Sequence, residues 1–200
     1  MTSRRRERLG QLAVGLWAAA CVFALATLSV NHVLSMPEPE EDAIASLEAS
    51  LRALRRHGER AFVVHVIAAD CSCTERLFAH LLAAGAESDA EELILFVGSD
   101  SARAAAAEGA GYRFRTLGRD TLERMGLEAA PVLAVLDAGG TLRYLGGYFD
   151  HPAAVTPLDR VVRNRLSEGL RPAPLPIYGC AVSTRLRESL DPLGLVYDRD

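Results

Sequence analysis

The sequence predicts an α/β sandwich built on a mixed central sheet, preceded by an N-terminal transmembrane helix. Three observations lead there. The apolar patterning runs helix, strand, helix, strand, helix, possible strand, helix, strand, strand, helix, which is a βαβ half followed by a ββα half. A strand-like run, Ala61 to Ile67, is followed by Asp70-Cys71-Ser72-Cys73-Thr74 and then a helical pattern from Glu75 to Ala84, so two cysteines stand where a strand hands over to a helix. Ahead of all this, an uncharged stretch extends from Leu9 to Val30.

That stretch has the length a bilayer-crossing helix needs. Arg4, Arg5, Arg6 and Arg8 precede it, and the acidic Glu38, Glu40, Glu41 and Asp42 follow it. The positive-inside rule then keeps the N-terminus cytoplasmic and places the remainder outside. The run is too long for the apolar core of a typical cleaved signal, and no clean Ala-x-Ala site follows. A lipoprotein signal at Ala19-Ala20-Cys21 would strand half of the apolar run beyond the acylated residue. The reading is therefore a cytoplasmic tail over 1–8, a membrane helix over 9–30 and a linker over 31–41. A domain over 42–169 and a C-terminal extension over 170–200 follow.

Each element has a local reason. From Asp42 to His57, Ile44, Leu47, Leu51 and Leu54 recur at helical spacing, and Gly58 ends the helix. Gly85 ends the helix after the cysteines. Leu93 to Val97 is a continuous apolar run flanked by Glu92 and Gly98, as expected of a strand covered on both faces. Asp100 or Ser101 caps an alanine-rich helix over Ala102 to Glu108. Tyr112 to Arg115 alternates as a short strand, and Asp120 to Met125 forms a short helix ended by Gly126. Pro131 leads the strand Val132 to Leu136, Asp137-Ala138-Gly139-Gly140 is a hairpin turn, and Thr141 to Tyr148 returns antiparallel. Pro157 to Ser167 is a last helix with Leu158, Val161, Val162 and Leu166 on one face. The tail is proline-rich and carries Tyr178-Gly179-Cys180.

Composition narrows the chemistry. All 22 basic residues of the 200 are arginines, which removes lysine as a catalytic amine. A net charge of −4 argues against nucleic-acid binding. The first turn of a helix carries unpaired N–H groups and partial positive charge, which favours a thiolate. Three cysteines lie beyond the apolar run, Cys71, Cys73 and Cys180, an odd number that cannot all pair within one chain.

With the cysteine turn, Ala130-Pro131-Val132 at the head of a core strand and the closing ββα order in place, the chain resembles the thioredoxin-like superfamily over roughly 42–169. Its Cys71-Ser72-Cys73 motif and Gly179-Cys180 pair are similar to a little-characterised branch of membrane-anchored bacterial proteins with a Cys-x-Cys motif. The resemblance implies that Pro131 is cis and, with Ala130, lines the groove where a partner chain docks. It places Thr74 where the superfamily usually keeps its second cysteine, and His65 where thioredoxins keep a buried acid that handles a proton.

The cysteines support three readings. In the first, Cys71 is the exposed nucleophile and Cys73 its partner in thiol–disulfide exchange with exported protein thiols or a redox partner protein. Residues two apart in a helix point about 200° apart, so a Cys71–Cys73 bond requires Cys71 to lie at or before the cap. In the second, Cys71, Cys73 and Cys180, with His65 or His151, hold Cu(I) or zinc. In the third, Cys180 ties the tail to Cys71 or Cys73 in a non-enzymatic binding or scaffold domain. A loop of about 107 residues closed in this way is worth roughly 4–5 kcal/mol in the chain-entropy model. The first reading is preferred. It makes the chain an oxidoreductase that uses no cofactor and no metal, single-pass in a bacterial inner membrane through residues 9–30, with its domain periplasmic.

Overall fold

The computed structural model describes residues 3–33, 35–39, 41–71, 73–191, 194 and 197. The chain divides into two units, 1–34 and 35–200. The first is one helix, α1 (Ser3–Val33). Its segment Arg8–Ala26 is long and apolar enough to cross a membrane by length and composition.

The second unit carries the α/β sandwich. Helix α2 (Glu41–Leu54) leads into β1 (Ala61–Ala68), α3 (Thr74–Ala84), β2 (Ala90–Val97), α4 (Ser101–Gly109) and β3 (Arg113–Leu117). Then follow α5 (Arg119–Arg124), β4 (Ala129–Ala130), β5 (Val132–Leu136), β6 (Leu142–Gly146) and α6 (Asp159–Ser167). The main sheet has the order β3-β2-β1-β5-β6, with β1, β2 and β3 parallel and β5 and β6 antiparallel. Helices α3, α4 and α6 cover one face through Leu77, Phe78, Leu81, Ala107 and Val162. Helices α2 and α5 cover the other through Leu47, Leu51 and Leu122. Both faces are dry, so the central strands read as unbroken apolar runs.

The caps follow the expected chemistry. Asp100 accepts a hydrogen bond from the Arg103 N–H at the start of α4, and Gly85 and Gly126 close their helices at positive φ. Several boundaries differ from the sequence reading, and two of them involve buried glutamates. Helix α2 stops at Leu54, and Glu91 accepts hydrogen bonds from the N–H groups of Arg56 and His57 just beyond its end. Strand β2 starts at Ala90, not Leu93, and so includes two buried carboxylates. Glu91 pairs with Arg113; Glu92 meets His65 and Arg163. A carboxylate that is paired on site is compatible with a covered strand.

Residues 170–191 are part of this unit and form a strap across the sheet's end. Met36 bridges Ile177, β7 (Cys180–Ala181) pairs antiparallel with β4, and α7 (Thr184–Leu190) packs Leu186 into the α2/α5 face. Two glycines admit it: a Cβ on Gly147 would overlap the Pro176 carbonyl oxygen, and one on Gly179 would overlap that of Ala130.

Gly179→Ala should therefore lift the strap at a cost of about 1–3 kcal/mol or more. Limited proteolysis within 170–180 and faster alkylation of Cys71 would report it, whereas unchanged protection would show that the strap does not depend on this approach.

Candidate functional site

Strand β1 ends at Ala68, and the turn that follows is pinned from both sides. The Cys71 N–H donates to the Ala68 carbonyl at 3.3 Å, and the Thr74 N–H donates to the Cys71 carbonyl at 3.0 Å. The Thr74 hydroxyl also donates to the Ala68 carbonyl. Thr74 is thus buried and joins β1 to α3. Cys73 is the N-cap of α3, and Cys71 lies before it, outside the helix, where a bond between the two is geometrically allowed. Ser72 lies outside the described residues.

The exposure of the two thiols differs from the expectation. Cys71 was expected to be the exposed nucleophile, but it is 4% exposed, while Cys73 is partly exposed. Cys71 lies in hydrogen-bond contact with both Cys73 and Cys180, and its sulfur faces the Ala130 carbonyl at 3.8 Å. The hydrogen bond from Cys180 draws the Cys71 thiol down. The Cys73 hydrogen bond, burial and the Cys73 charge outweigh it and push Cys71 up to about 12. Cys73 moves the other way. The hydrogen bond from Cys71 favours its thiolate against burial and the charge of Cys180, helped by its own backbone N–H and by Arg76 one turn along α3. Charge is thus disfavoured on Cys71 and favoured on Cys73.

Cys180 arrives from the other end of the sequence. β7 places it opposite Ala130 in the β4 ladder, and Gly179 lets the two backbones meet. Pro131 is cis, as the resemblance implied. Ala130 and Pro131 were expected to line an open docking groove; both are buried, with the chain's own residues 179–181 against them.

The strap is held by a group that sequence patterning missed. Arg187 donates to the Ala181 carbonyl at 3.0 Å, pairs with Asp70 beside the cysteine turn, and stacks on Tyr197 at 4.9 Å. The Ala181 N–H donates to the Tyr197 hydroxyl at 3.1 Å, and Arg119 meets Asp70 at 2.8 Å. Burial raises the Asp70 carboxyl, but the Arg187 hydrogen bond and charge and then Arg119 hold it below its usual value. Only Arg76, three residues from Cys73, was within reach of a spacing argument.

His65 does not join the cysteines. It lies on the opposite face of the sheet, fully buried, with Nδ1 2.8 Å from the Tyr148 hydroxyl and Nε2 3.1 Å from Glu92. His80 joins α3 to α6 through Asp159 at 2.9 Å. His151 is exposed beside Asp150. Among the described residues no group of three or more His, Cys, Asp or Glu is placed to hold a metal ion.

Two outcomes follow from these charges. Alkylation of Cys73 should reach half its plateau below the ordinary thiol value of about 8.5, with Cys71 unreactive until far higher pH. Cys71→Ala, which removes the donor, should move the Cys73 midpoint upward. A Cys73 midpoint unchanged in that variant would refute the hydrogen bond's role. Asp70, with its folded pKa depressed, contributes stability that is present above its unfolded value near pH 4 and is lost as pH falls through the folded value. Acid unfolding of Asp70→Asn should accordingly be less steep than that of the parent, as read by circular dichroism.

No protein-family model matches the chain, and no curated protein matches it. Among solved structures it is similar to a hypothetical protein from Sinorhizobium meliloti, at 17% identity and a TM-score of 0.51 over 67% of this chain and 82% of that one. An uncharacterized conserved protein from Geobacillus kaustophilus aligns at 18% identity and a TM-score of 0.47, over 62% of this chain and 77% of that one. The thioredoxin domain of a thiol-disulfide oxidoreductase from Bacteroides vulgatus aligns at 17% and 0.33, over 42% of this chain and 68% of that one. At these identities the likeness concerns the fold alone. With the strand order, the cysteine turn and the cis-Pro131 strand, the chain has a thioredoxin-like fold carrying a Cys-x-Cys pair in place of Cys-x-x-Cys.

Proposed function

We propose that the chain is a membrane-anchored thiol–disulfide exchange protein in which Cys73 attacks and Cys71 resolves. The observation that carries this reading is the pair itself: a partly exposed cysteine at a helix cap whose thiolate is favoured by a buried neighbouring thiol. A thiolate at that place is the reactive form.

The Cys73 thiolate attacks one sulfur of a partner's disulfide. The partner's S–S bond breaks, its second sulfur leaves as a thiolate, and a mixed disulfide with Cys73 forms. This neutralises Cys73, which removes two of the causes that hold the Cys71 proton, the Cys73 hydrogen bond and the Cys73 charge. Cys71 then gives up its proton and attacks the Cys73 sulfur. The Cys71–Cys73 bond forms and the partner's first sulfur departs reduced. The same steps run backwards to oxidise a partner, the direction following the two reduction potentials.

The apolar segment Arg8–Ala26 and the arginines before it support an inner-membrane anchor in a bacterium, with the domain on the extracytoplasmic side. Partners are then exported proteins, a compartment in which disulfides persist. Acidic residues of the linker and the acidic net charge leave nucleic acid out of the reading.

Cys73→Ser should abolish disulfide exchange with a model substrate. Cys71→Ser should instead accumulate a mixed disulfide on Cys73, visible as a mass-shifted species on non-reducing gels. Equal residual activity in both variants would refute the assignment of roles.

A further inference from the structure

We infer that Cys180 is a third redox residue, which takes the disulfide over from Cys73 by attacking Cys71, so that the oxidised chain rests with a Cys71–Cys180 bond. This step rests on the exchange reading above, since it begins from the Cys71–Cys73 bond formed there.

The geometry sets the order of the three thiols. Cys71 is in the middle, in hydrogen-bond contact with Cys73 on one side and Cys180 on the other. Cys73 also feels the charge of Cys180. The three thiols therefore share one site, with Cys71 in contact with both of the others. Cys180 is not a loose tail residue that happens to drift past. Its backbone is laddered to Ala130, the residue whose carbonyl faces the Cys71 sulfur. The flanks are held by the Val182 and Ser183 N–H groups on the Glu128 carbonyl at 2.7 and 3.1 Å, and by Arg187 on Ala181. A thiol fixed in this way is pre-positioned for attack.

The transfer is balanced without any further oxidant. Cys180 loses its proton to solvent and its thiolate attacks the Cys71 sulfur. The Cys71–Cys180 bond forms, the Cys71–Cys73 bond breaks, and Cys73 leaves as a thiolate. One disulfide is consumed and one is formed. The Cys71 hydrogen bond to Cys73 is gone once Cys71 is in the disulfide, and what still favours the departing Cys73 thiolate is its own backbone N–H and the charge of Arg76. The consequence is twofold. Cys73 is regenerated while the chain is still oxidised, and the strap becomes covalently tied over Ala130 and Pro131.

The test uses the full chain in detergent micelles, fully reduced and then exposed to oxidised glutathione. Samples are quenched with acid at intervals, free thiols are alkylated, and disulfides are mapped by mass spectrometry. The expected result is an early Cys71–Cys73 bond that is lost as a Cys71–Cys180 bond appears with Cys73 alkylated. Cys180→Ser and Cys180→Ala should both stop at Cys71–Cys73. A parent chain that keeps Cys71–Cys73 at equilibrium, with Cys180 alkylated, overturns the transfer and leaves the exchange reading standing. In the double variant Cys71→Ser, Cys180→Ser, Cys73 should take up one glutathione; failure to do so overturns the exchange reading itself, and the transfer with it.

Discussion

The two-residue ladder between β4 and β7 is the contact on which the organisation of this site depends. Ala129-Ala130 is too short to be a strand of the main sheet, and Pro131 takes the chain on into β5. Pairing with Cys180-Ala181 gives that stub its backbone partners and carries the third thiol to the cysteine turn. Buried backbone groups need such partners. Everything local to the site leans on this contact: the cover over Cys71, the burial of Ala130 and Pro131, and the place of Arg187 against Asp70.

The chemistry of the cysteines then follows from asymmetry of environment, not from identity. Cys71 and Cys73 are two residues apart and chemically alike. One lies before the cap, under the strap, between two other thiols; the other is the cap itself, partly open and near Arg76. The hydrogen bond from Cys71 favours charge on Cys73, while the Cys73 hydrogen bond and burial disfavour it on Cys71. In the proposed exchange this coupling would also order the steps, since consumption of the Cys73 thiolate removes two causes that hold the Cys71 proton.

Polar groups elsewhere in the fold serve cohesion. His65, Glu92, Tyr148 and Arg163 form a satisfied cluster under α6, on the face of the sheet away from the thiols. Such a cluster joins sheet to helix with a specific geometry, and its members have no line to the cysteine turn. The same holds for His80 and Asp159.

What the sequence determined by itself was everything written in short-range pattern. The apolar run of α1, the helical spacing of Leu47 and Leu51, the doubly covered strands, the Asp100 cap and the strand-to-helix placement of Cys71 and Cys73 all depend on residues within a few positions of one another. So did the fold class, because the order of elements admits few right-handed arrangements. Tertiary structure alone decided the rest. The opposite shifts of Cys71 and Cys73 depend on their mutual hydrogen bond, on burial and on Cys180, more than a hundred residues away. That the proline-rich tail is a strap, not a loose extension, depends on the Gly179 approach to Ala130 and on the partners of Arg187. That β2 begins at two glutamates depends on His65, Arg113 and Arg163 meeting them from other elements. Pattern reads the propensity of a segment. A thiol's proton and a buried carboxylate's partner are properties of the space around them, and that space exists only once the chain is folded.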